Sequence, residues 1–204
     1  MRRFIVTGTD TGVGKTVFAA ALTGAISGLY WKPVQAGLDG QTDSEIAAWL
    51  SGRPVLPEAY RLRLAVSPHR AAAAEDRAID AAALVLPDTD VPLVVECAGG
   101  LAVPLSEDLL LIDLFARWAA PLILCARTSL GTINHTLLSL EAIRARRIPL
   151  LGIAFIGDAN EDSERVICRF GCARRLGRLG HVAPLEPSRL AAAFAAGFDV
   201  TDFA

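Results

Sequence analysis

A glycine-rich segment near the start of the chain most constrains its fold. Residues 8–16 read Gly-Thr-Asp-Thr-Gly-Val-Gly-Lys-Thr, the pattern of a phosphate-binding loop. The apolar run 3–7 precedes the segment and an alanine-rich stretch follows it, which predicts a strand before the loop and a helix after it. This context supports the motif, because the helix points its positive end at the bound phosphate.

The residue types of the loop indicate its chemistry. Glycines let the backbone N–H groups turn inward around phosphate oxygens, and Lys15 supplies positive charge to the outer phosphates. The hydroxyl of Thr16 is an oxygen ligand of the kind that Mg²⁺ prefers. The loop therefore predicts a site for a nucleotide and its metal ion.

The composition indicates one globular domain spanning residues 1–204. Hydrophobic residues make up 52% of the chain, enough for a substantial core. The 20 Lys and Arg nearly balance the 22 Asp and Glu, for a formal net charge of −2. We expect no nucleic acid and no membrane surface as a partner, because neither is favoured by this charge.

The chain also lacks the sequence signs of export. Arg2 and Arg3 are followed by only a few apolar residues, unlike a signal peptide, and the alanine runs are too interrupted for a span of about 20 apolar residues. Cys97 and Cys125 lack zinc-type spacing, whereas Cys168 and Cys172, one helical turn apart, are either small helix residues or a metal clamp. We expect a cytoplasmic protein.

Strand-like and helix-like segments alternate along the chain. Strands are predicted at residues 3–7, 30–34, 91–95, 121–126, 149–156 and 177–182. Helices are predicted after residue 16, at 44–50, from Ser67 as N-cap, and at 78–86, 108–118, 132–147, 162–176 and 188–196. Near-continuous apolar strands between helices are typical of parallel sheets. We predict an α/β fold like that of P-loop NTPases, a mostly parallel sheet with helices on both faces.

Ligands of open parallel sheets bind at the carboxyl ends of the strands. This rule selects the segments 8–16, 32–43, 96–100, 127–134 and 157–160, where polar residues and glycines concentrate. Glu96, at the end of an apolar strand, is either a Mg²⁺ ligand or a solvated acid. Asp43 is either a second ligand or the cap of the helix at 44–50, a role that Thr42 can also fill. Together with Thr16, these carboxylates offer Mg²⁺ a set of oxygen ligands.

Two further segments at these strand ends carry chemistry. Lys32 precedes Pro33, which holds the chain extended, and a lysine beside the outer phosphate can stabilise charge during phosphoryl transfer. Residues 131–134 open a helix whose free N–H groups suit a carboxylate or phosphate. His135 is either a general base or a helix-surface residue, and the sequence favours the second interpretation for it and for His69.

The motifs together resemble the dethiobiotin synthase family. The resemblance covers residues 4 to about 158 and becomes weak beyond them. The matching motifs, in the order of the family, are Gly8-Thr9-Asp10-Thr11 with Val13-Gly14-Lys15-Thr16, Lys32-Pro33-Val34, Ser67-Pro68-His69, Glu96 with Ala98-Gly99-Gly100 and Pro104-Leu105, and Leu130-Gly131-Thr132-Ile133-Asn134-His135.

The resemblance implies a reaction and its participants. CO₂, supplied as such or as bicarbonate, adds to an amine of 7,8-diaminopelargonate, ATP phosphorylates the carbamate, and the second amine closes a ureido ring with loss of phosphate. Mg²⁺ is the implied cofactor and ATP a co-substrate. The family's substrate lies at a homodimer interface, so part of each pocket comes from the second subunit.

Roles for individual residues follow from the resemblance by position. Lys15, Lys32 and Thr11 are the implied catalytic residues, and Thr16, Asp43 and Glu96 the implied metal ligands. The implied nucleotide-binding residues are Gly12, Val13, Gly14, Lys15, Thr16, Val17, Asp43, Glu96, Cys97, Ala98, Gly99, Gly157, Ala183 and Pro184. The implied substrate-binding residues are Lys32, Ala36, Gly131, Thr132, Ile133 and Asn134.

The chain departs from the family pattern at three places. Cys97 stands where a glycine is usual, and Ala36 where a hydroxyl is frequent. Ile156-Gly157-Asp158 replaces the Asn-Asp pair that reads adenine, which predicts weak discrimination among nucleoside triphosphates.

A regulatory ATPase switch of the partition or targeting type is the alternative function. Such proteins usually carry a second lysine inside the loop, where this chain has Thr9-Asp10-Thr11. ATP-dependent amidases of corrinoid synthesis have similar loops, but their extra glutaminase domain does not fit within 204 residues.

Overall fold

The computed structural model describes residues 1–204 and places a seven-stranded sheet at the centre of the molecule. The strands are β1 (Arg3–Gly8), β2 (Leu29–Trp31), β3 (Val34–Ala36), β4 (Val55–Leu56), β5 (Tyr60–Leu62), β6 (Leu93–Gly100), β7 (Leu122–Arg127), β8 (Leu150–Ile156) and β9 (Arg175–Leu179). The helices are α1 (Lys15–Ala25), α2 (Asp43–Ser51), α3 (Pro68–Ala73), α4 (Leu111–Trp118), α5 (Thr132–Ala145), α6 (Glu161–Phe170) and α7 (Pro187–Gly197). No helix combines the length and the apolar character needed to cross a membrane.

The strand order of the sheet is β4-β2-β6-β1-β7-β8-β9, and every neighbouring pair is parallel. A second, two-stranded parallel sheet pairs β3 with β5. Parallel pairing requires a crossover between successive strands, and the helices supply these connections.

Helices cover both faces of the sheet. On β1, Phe4 and Val6 pack into a core with α1, α2 and α7, whereas Ile5 packs into a core with α3, α4, α5 and α6. Successive strand residues point to opposite faces, which explains why apolar side chains run without alternation through β1. The predicted α/β fold with a mostly parallel sheet and helices on both faces is confirmed.

This topology positions the functional site. Strands β1 and β6 are neighbours, and the helices that follow them, α1 and α4, lie on opposite faces of the sheet. Crevices open at the carboxyl ends of strands where the connections diverge in this way.

Two predicted helices are wrong in part. Residues 78–86 form only a 3₁₀ turn at Ala81–Ala83, because Ile79 and Leu84 are the only buried side chains and their spacing gives no helical apolar stripe. The helix predicted at 162–176 ends at Phe170, and β9 occupies 175–179 rather than 177–182. Gly171 lies against α5, where a Cβ would be 2.4 Å from Leu140 Cδ1, so the chain turns there.

Smaller differences concern strand ends and caps. Glu96 lies within β6 and does not end it, because the strand continues to Gly100. Strands β4 and β5 were not predicted, since runs of two and three residues carry no periodic signal. Ser67 stands at the N-cap of α3, but its side chain makes no capping hydrogen bond.

Candidate active site

The phosphate loop links β1 to α1 in the predicted strand–loop–helix arrangement. Gly12 and Gly14 have φ angles of 72° and 93°, a region that favours glycine. Gly14 also lies against Ile156, whose Cγ2 would be 2.8 Å from an added Cβ. Conformation and contact together require glycine at position 14, and they leave the first N–H groups of α1 facing the loop.

Lys15 folds back across this loop. Its Nζ donates a hydrogen bond to the Asp10 carbonyl oxygen at 2.9 Å, and the residue is buried. Burial lowers the pKa of Lys15, and the nearby Glu96 carboxylate opposes part of that effect. The lysine therefore rests on the loop backbone at the place where the motif predicts the outer phosphates.

Three oxygen-bearing side chains converge beside the loop. Thr16 Oγ1 lies 2.8 Å from Asp43 Oδ1 and 2.8 Å from Glu96 Oε1. A threonine hydroxyl has one hydrogen and can satisfy only one of these acceptors at a time. In the other contact, two oxygen atoms face each other without a hydrogen between them. A hard cation such as Mg²⁺ suits this arrangement. The predicted metal ligands thus lie together and their chemistry fits the ion.

Lys32 forms ion pairs with both carboxylates. Its Nζ contacts Asp43 Oδ2 and lies 3.5 Å from Glu96 Oε1, and its side chain is only 5% exposed. Burial alone lowers the pKa of Lys32, but Glu96 and Asp43 outweigh burial and raise it. Burial likewise raises the pKa of Asp43, and Lys32 outweighs that effect and holds it below its usual range. The ammonium and the Asp43 carboxylate therefore remain charged in the free protein.

Local structure decides which residue caps α2. The side chain of Thr42 accepts the Glu45 N–H at 3.3 Å, and Glu45 in turn accepts the Thr42 N–H at 2.8 Å. This reciprocal capping box occupies Thr42 and places Asp43 at the first helical position, with its carboxylate free to face Thr16.

Tyr30 also belongs to this cluster, although no sequence motif marks it. The Tyr30 hydroxyl donates to Glu96 Oε2 at 2.7 Å, and burial followed by the Glu96 charge raises the tyrosine pKa well above its usual value. The composition adds support for Lys32, because Lys15 and Lys32 are the only lysines of the chain. Every other basic side chain is arginine or histidine, which alone singles out Lys32.

Cys97 occupies β6 next to Glu96, but its side chain belongs to the core. Successive strand residues point to opposite faces, so Glu96 faces the cluster while Cys97 packs beneath the sheet. The thiol is buried, and burial raises its pKa far above the usual range. Any nucleotide contact of Cys97 would therefore come from its backbone.

This burial predicts an order of thiol reactivity. We expect the exposed Cys172 to react first with Ellman's reagent and the half-buried Cys168 more slowly. Cys97 and Cys125 should react only after unfolding, because both are buried and hold the proton. The Cys172→Ser variant should lack the fast phase, and rapid titration of all thiols in the native protein would contradict this order.

A groove of about 510 Å³ opens beside Thr11. Its walls are the phosphate loop, the segment after β6 and one face of α5. Gly99 lies against Thr11, since an added Cβ would be 3.4 Å from Thr11 Oγ1. His135 and Leu138, both on α5, also line the groove, although the sequence favoured no catalytic role for His135.

The predicted substrate-binding residues are not all brought together. Lys32 lies in the charged cluster, and Ala36 ends β3 nearby in sequence. The start of α5 does not line the groove: Gly131 is its N-cap, Thr132 is buried, and Ile133 packs partly against the core. Asn134 likewise lies outside the lining of the groove.

A second cavity, of about 440 Å³, lies on the other side of the loop. Its lining includes Gly12, Arg127, Gly157 and Asp158. Asp158 and His181 are both largely exposed, with 4.0 Å between Asp158 Oδ1 and His181 Nε2.

The remaining residues predicted to bind nucleotide do not line this cavity. Val13 is buried and Val17 partly buried, and Ala98 belongs to β6. Ala183 and Pro184 follow β9 and lie outside the cavity.

A third cavity, of about 1080 Å³, lies away from these residues between α1, α2 and α7. Its lining is mainly apolar and includes Trp49, Phe194 and Phe198. None of the predicted site residues contributes to it. The charged cluster and the two cavities beside the loop are therefore the candidate active site.

Comparison with known proteins agrees with this geometry. A family model described as an AAA domain matches residues 2–189. The ATP-dependent dethiobiotin synthetase of Rhodopseudomonas palustris strain BisB5 is 64% identical over 202 residues, covering 98% of this chain and 95% of that protein. The chain belongs to the dethiobiotin synthetase family. The enzyme of the same name from Nitrobacter hamburgensis is 59% identical over 204 residues, covering 98% of this chain and 96% of its own.

Membership of the dethiobiotin synthetase family confirms the resemblance drawn from the motifs and makes the chain a ligase that forms C–N bonds. Among solved structures, a ParA family ATPase from Chlorobium tepidum has a TM-score of 0.53 at 13% identity, covering 96% of this chain and 91% of that one. At this identity the likeness concerns the fold alone, and it confirms the predicted P-loop NTPase-like architecture.

Proposed function

We propose that this chain catalyses the Mg-ATP-dependent carboxylation and ring closure of 7,8-diaminopelargonate to dethiobiotin. The observation that carries the proposal is the Lys32 ammonium held between Asp43 and Glu96, with Thr16 of the phosphate loop in the same cluster. It combines the charges that phosphoryl transfer needs with a metal-ligand set. Residues 1–204 act in this proposal as one unit in the cytoplasm.

The reaction has three bond-forming steps. An amine of the substrate attacks CO₂ and loses a proton, giving a carbamate. A carbamate oxygen takes the γ-phosphoryl group of ATP, which leaves ADP and a mixed anhydride. The second amine attacks the anhydride carbon, the C–O bond to phosphate breaks, and the ureido ring closes with release of inorganic phosphate.

The chain's own residues act mainly on charge and position. Lys15 and Lys32 stabilise the negative charge on the phosphoryl oxygens during transfer, and Thr11 orients the phosphates or the carbamate. Thr16, Asp43 and Glu96 would hold Mg²⁺, which neutralises phosphate charge when bound. Lys32 contacts both carboxylates, and its single positive charge offsets one of their two negative charges, which leaves the ligand set anionic and suited to a cation.

We further propose that two copies of the chain complete the substrate site. The groove beside Thr11 is open, and Leu138 in its lining is exposed. Leu130, which lies just before α5, is fully exposed. Exposed leucines on α5 and directly before it suit a subunit interface. In a dimer, Gly131–Asn134 of one subunit would reach the groove of the other, which accounts for their absence from the groove of their own chain.

One assay tests the function directly. The protein is incubated with 7,8-diaminopelargonate, bicarbonate and Mg-ATP, and phosphate release is followed together with product mass. We expect release that depends on the diamine and on bicarbonate, and formation of dethiobiotin. Phosphate release that is indifferent to the diamine would refute the proposal and favour the alternative of a regulatory ATPase switch.

The 440 Å³ cavity, which Gly157 and Asp158 line, would receive the nucleotide base and leads to a prediction on nucleotide selectivity. Ile156 packs against Gly14, and the Asn160 amide is already engaged, its Nδ2 with the Thr128 carbonyl at 3.0 Å and its Oδ1 with the Ser163 N–H at 3.2 Å. These two bonds fix the orientation of the one amide side chain that lines the cavity, and the Asn-Asp pair that reads adenine is absent, so ATP and CTP should give kcat/KM values within about 10-fold of each other. A strong preference for ATP in steady-state assays would contradict this expectation.

A further inference from the structure

The phosphate loop contains a carboxylate, Asp10, among the groups that are to bind an anion. A carboxylate near a triphosphate repels it, and at Asp10, whose side chain is 53% exposed, the repulsion is partly screened by solvent and salt. Neither the motif chemistry nor the family resemblance gave Asp10 a role. Its contacts indicate how the loop accommodates the charge.

Three bonds meet at Asp10. Its Oδ1 accepts a hydrogen bond from the Thr11 N–H at 2.7 Å, and its Oδ2 accepts one from Arg127 Nη2 at 2.6 Å. Its carbonyl oxygen accepts the Lys15 ammonium at 2.9 Å. Asp10 is thus connected to two of the proposed catalytic residues and to one arginine from another strand.

Arg127 is the last residue of β7, which pairs with β1. Backbone pairing continues past β1, since the Thr9 N–H donates to the Cys125 carbonyl at 3.0 Å. The guanidinium therefore extends from a rigid strand end to the loop, and its exposed part borders the 440 Å³ cavity near Gly12.

We propose that Arg127 is a positioning residue that sets the affinity of the loop for nucleotide by neutralising and orienting Asp10. With Arg127 in place, the carboxylate points along the loop, bonds to the Thr11 N–H and presents little net charge to the phosphates. Without it, an uncompensated carboxylate faces the triphosphate. The inference rests on the proposed function only in taking ATP as the bound anion.

A double-mutant cycle in Mg-ATP binding tests this role. By calorimetry, Arg127→Ala should raise the Kd for Mg-ATP by about 10-fold, because it leaves a carboxylate uncompensated beside the phosphates. In the Asp10→Asn background the same substitution should change Kd by less than about 2-fold, since the amide keeps its oxygen for Thr11 and carries no charge. Arg127→Lys should restore most of the affinity.

Two further measurements distinguish a positioning role of Arg127 from other roles. The deficit of Arg127→Ala should shrink as salt rises, and kcat at saturating ATP should stay within about 3-fold of the unmodified chain. Arg165→Ala, which breaks an exposed pair with Asp162, serves as the matched control and should leave Kd unchanged.

Equal losses from Arg127→Ala in both backgrounds would mean that the arginine contacts the nucleotide directly, and would overturn the proposal. A lowered Tm with an unchanged Kd would overturn it as well. Binding is measured without the diamine, so a failure of the synthesis assay and a failure of this cycle are separate outcomes.

Discussion

Replacing Lys32 by Ala is expected to lower kcat by about 100- to 1,000-fold while the KM for ATP changes little. Lys32 is one of only two lysines in the chain. It lies between the carboxylates of Asp43 and Glu96, beside the loop that is proposed to bind the phosphates. Its positive charge acts on oxygens that gain negative charge in the transition state. The measurement is steady-state phosphate release at saturating diamine and ATP.

The variant also tests the charge balance of the cluster. Glu96 is 1% exposed and loses its buried counter-charge, so the free protein should melt at a lower temperature, and Mg-ATP should restore part of the loss. Assays are therefore run well below the variant's Tm. Lys32→Arg keeps the charge and should retain more activity, whereas an unchanged kcat in Lys32→Ala would remove Lys32 from the catalytic residues.

Replacing Glu96 by Gln is expected to lower activity by about 100-fold and to raise the Mg²⁺ concentration for half-maximal rate by at least about 10-fold. The amide has nearly the same shape, but it is neutral and a weaker ligand for a hard cation. Glu96 also contacts Thr16, Lys32 and Tyr30, so the substitution disturbs the whole cluster. The measurement is a Mg²⁺ titration at fixed ATP.

Metal dependence distinguishes the two variants. Excess Mg²⁺ should recover part of the activity of Glu96→Gln and none of that of Lys32→Ala. Asp90→Asn is the matched control. Asp90 is an exposed acid that precedes β6, at the amino-terminal end of the strand, whereas the candidate site lies at the carboxyl ends of the strands. A wild-type Mg²⁺ requirement in Glu96→Gln would exclude Glu96 as a metal ligand.

Local patterns predicted some elements well and others poorly. The loop, its strand and its helix were predictable, because nine adjacent residues carry the whole signal. The helix predicted at 78–86 failed because alanine favours helix without indicating a buried face, and the end of α6 depends on the contact of Gly171 with α5. Short strands such as β4 form only because β2 offers a pairing edge.

The candidate site shows the same division. The sequence presented Asp43 as a ligand or a cap, and the capping box formed by Thr42 and Glu45 leaves its carboxylate free. Tyr30 was not identified, because a buried tyrosine in an apolar strand looks like core until its partner is known. Its role follows from the pairing of β2 with β6, which places its hydroxyl on Glu96.

By itself the sequence predicted that a nucleotide's phosphates bind at residues 8–16, and it correctly indicated a mostly parallel sheet and a relative of the dethiobiotin synthetases. Those properties reside in neighbouring residues and in the order of motifs. Only the tertiary structure joined Thr16 to Glu96, 80 positions apart, and Asp10 to Arg127, 117 positions apart. The physical reason is that strand order decides which carboxyl ends lie side by side, and strand order depends on packing across the whole chain.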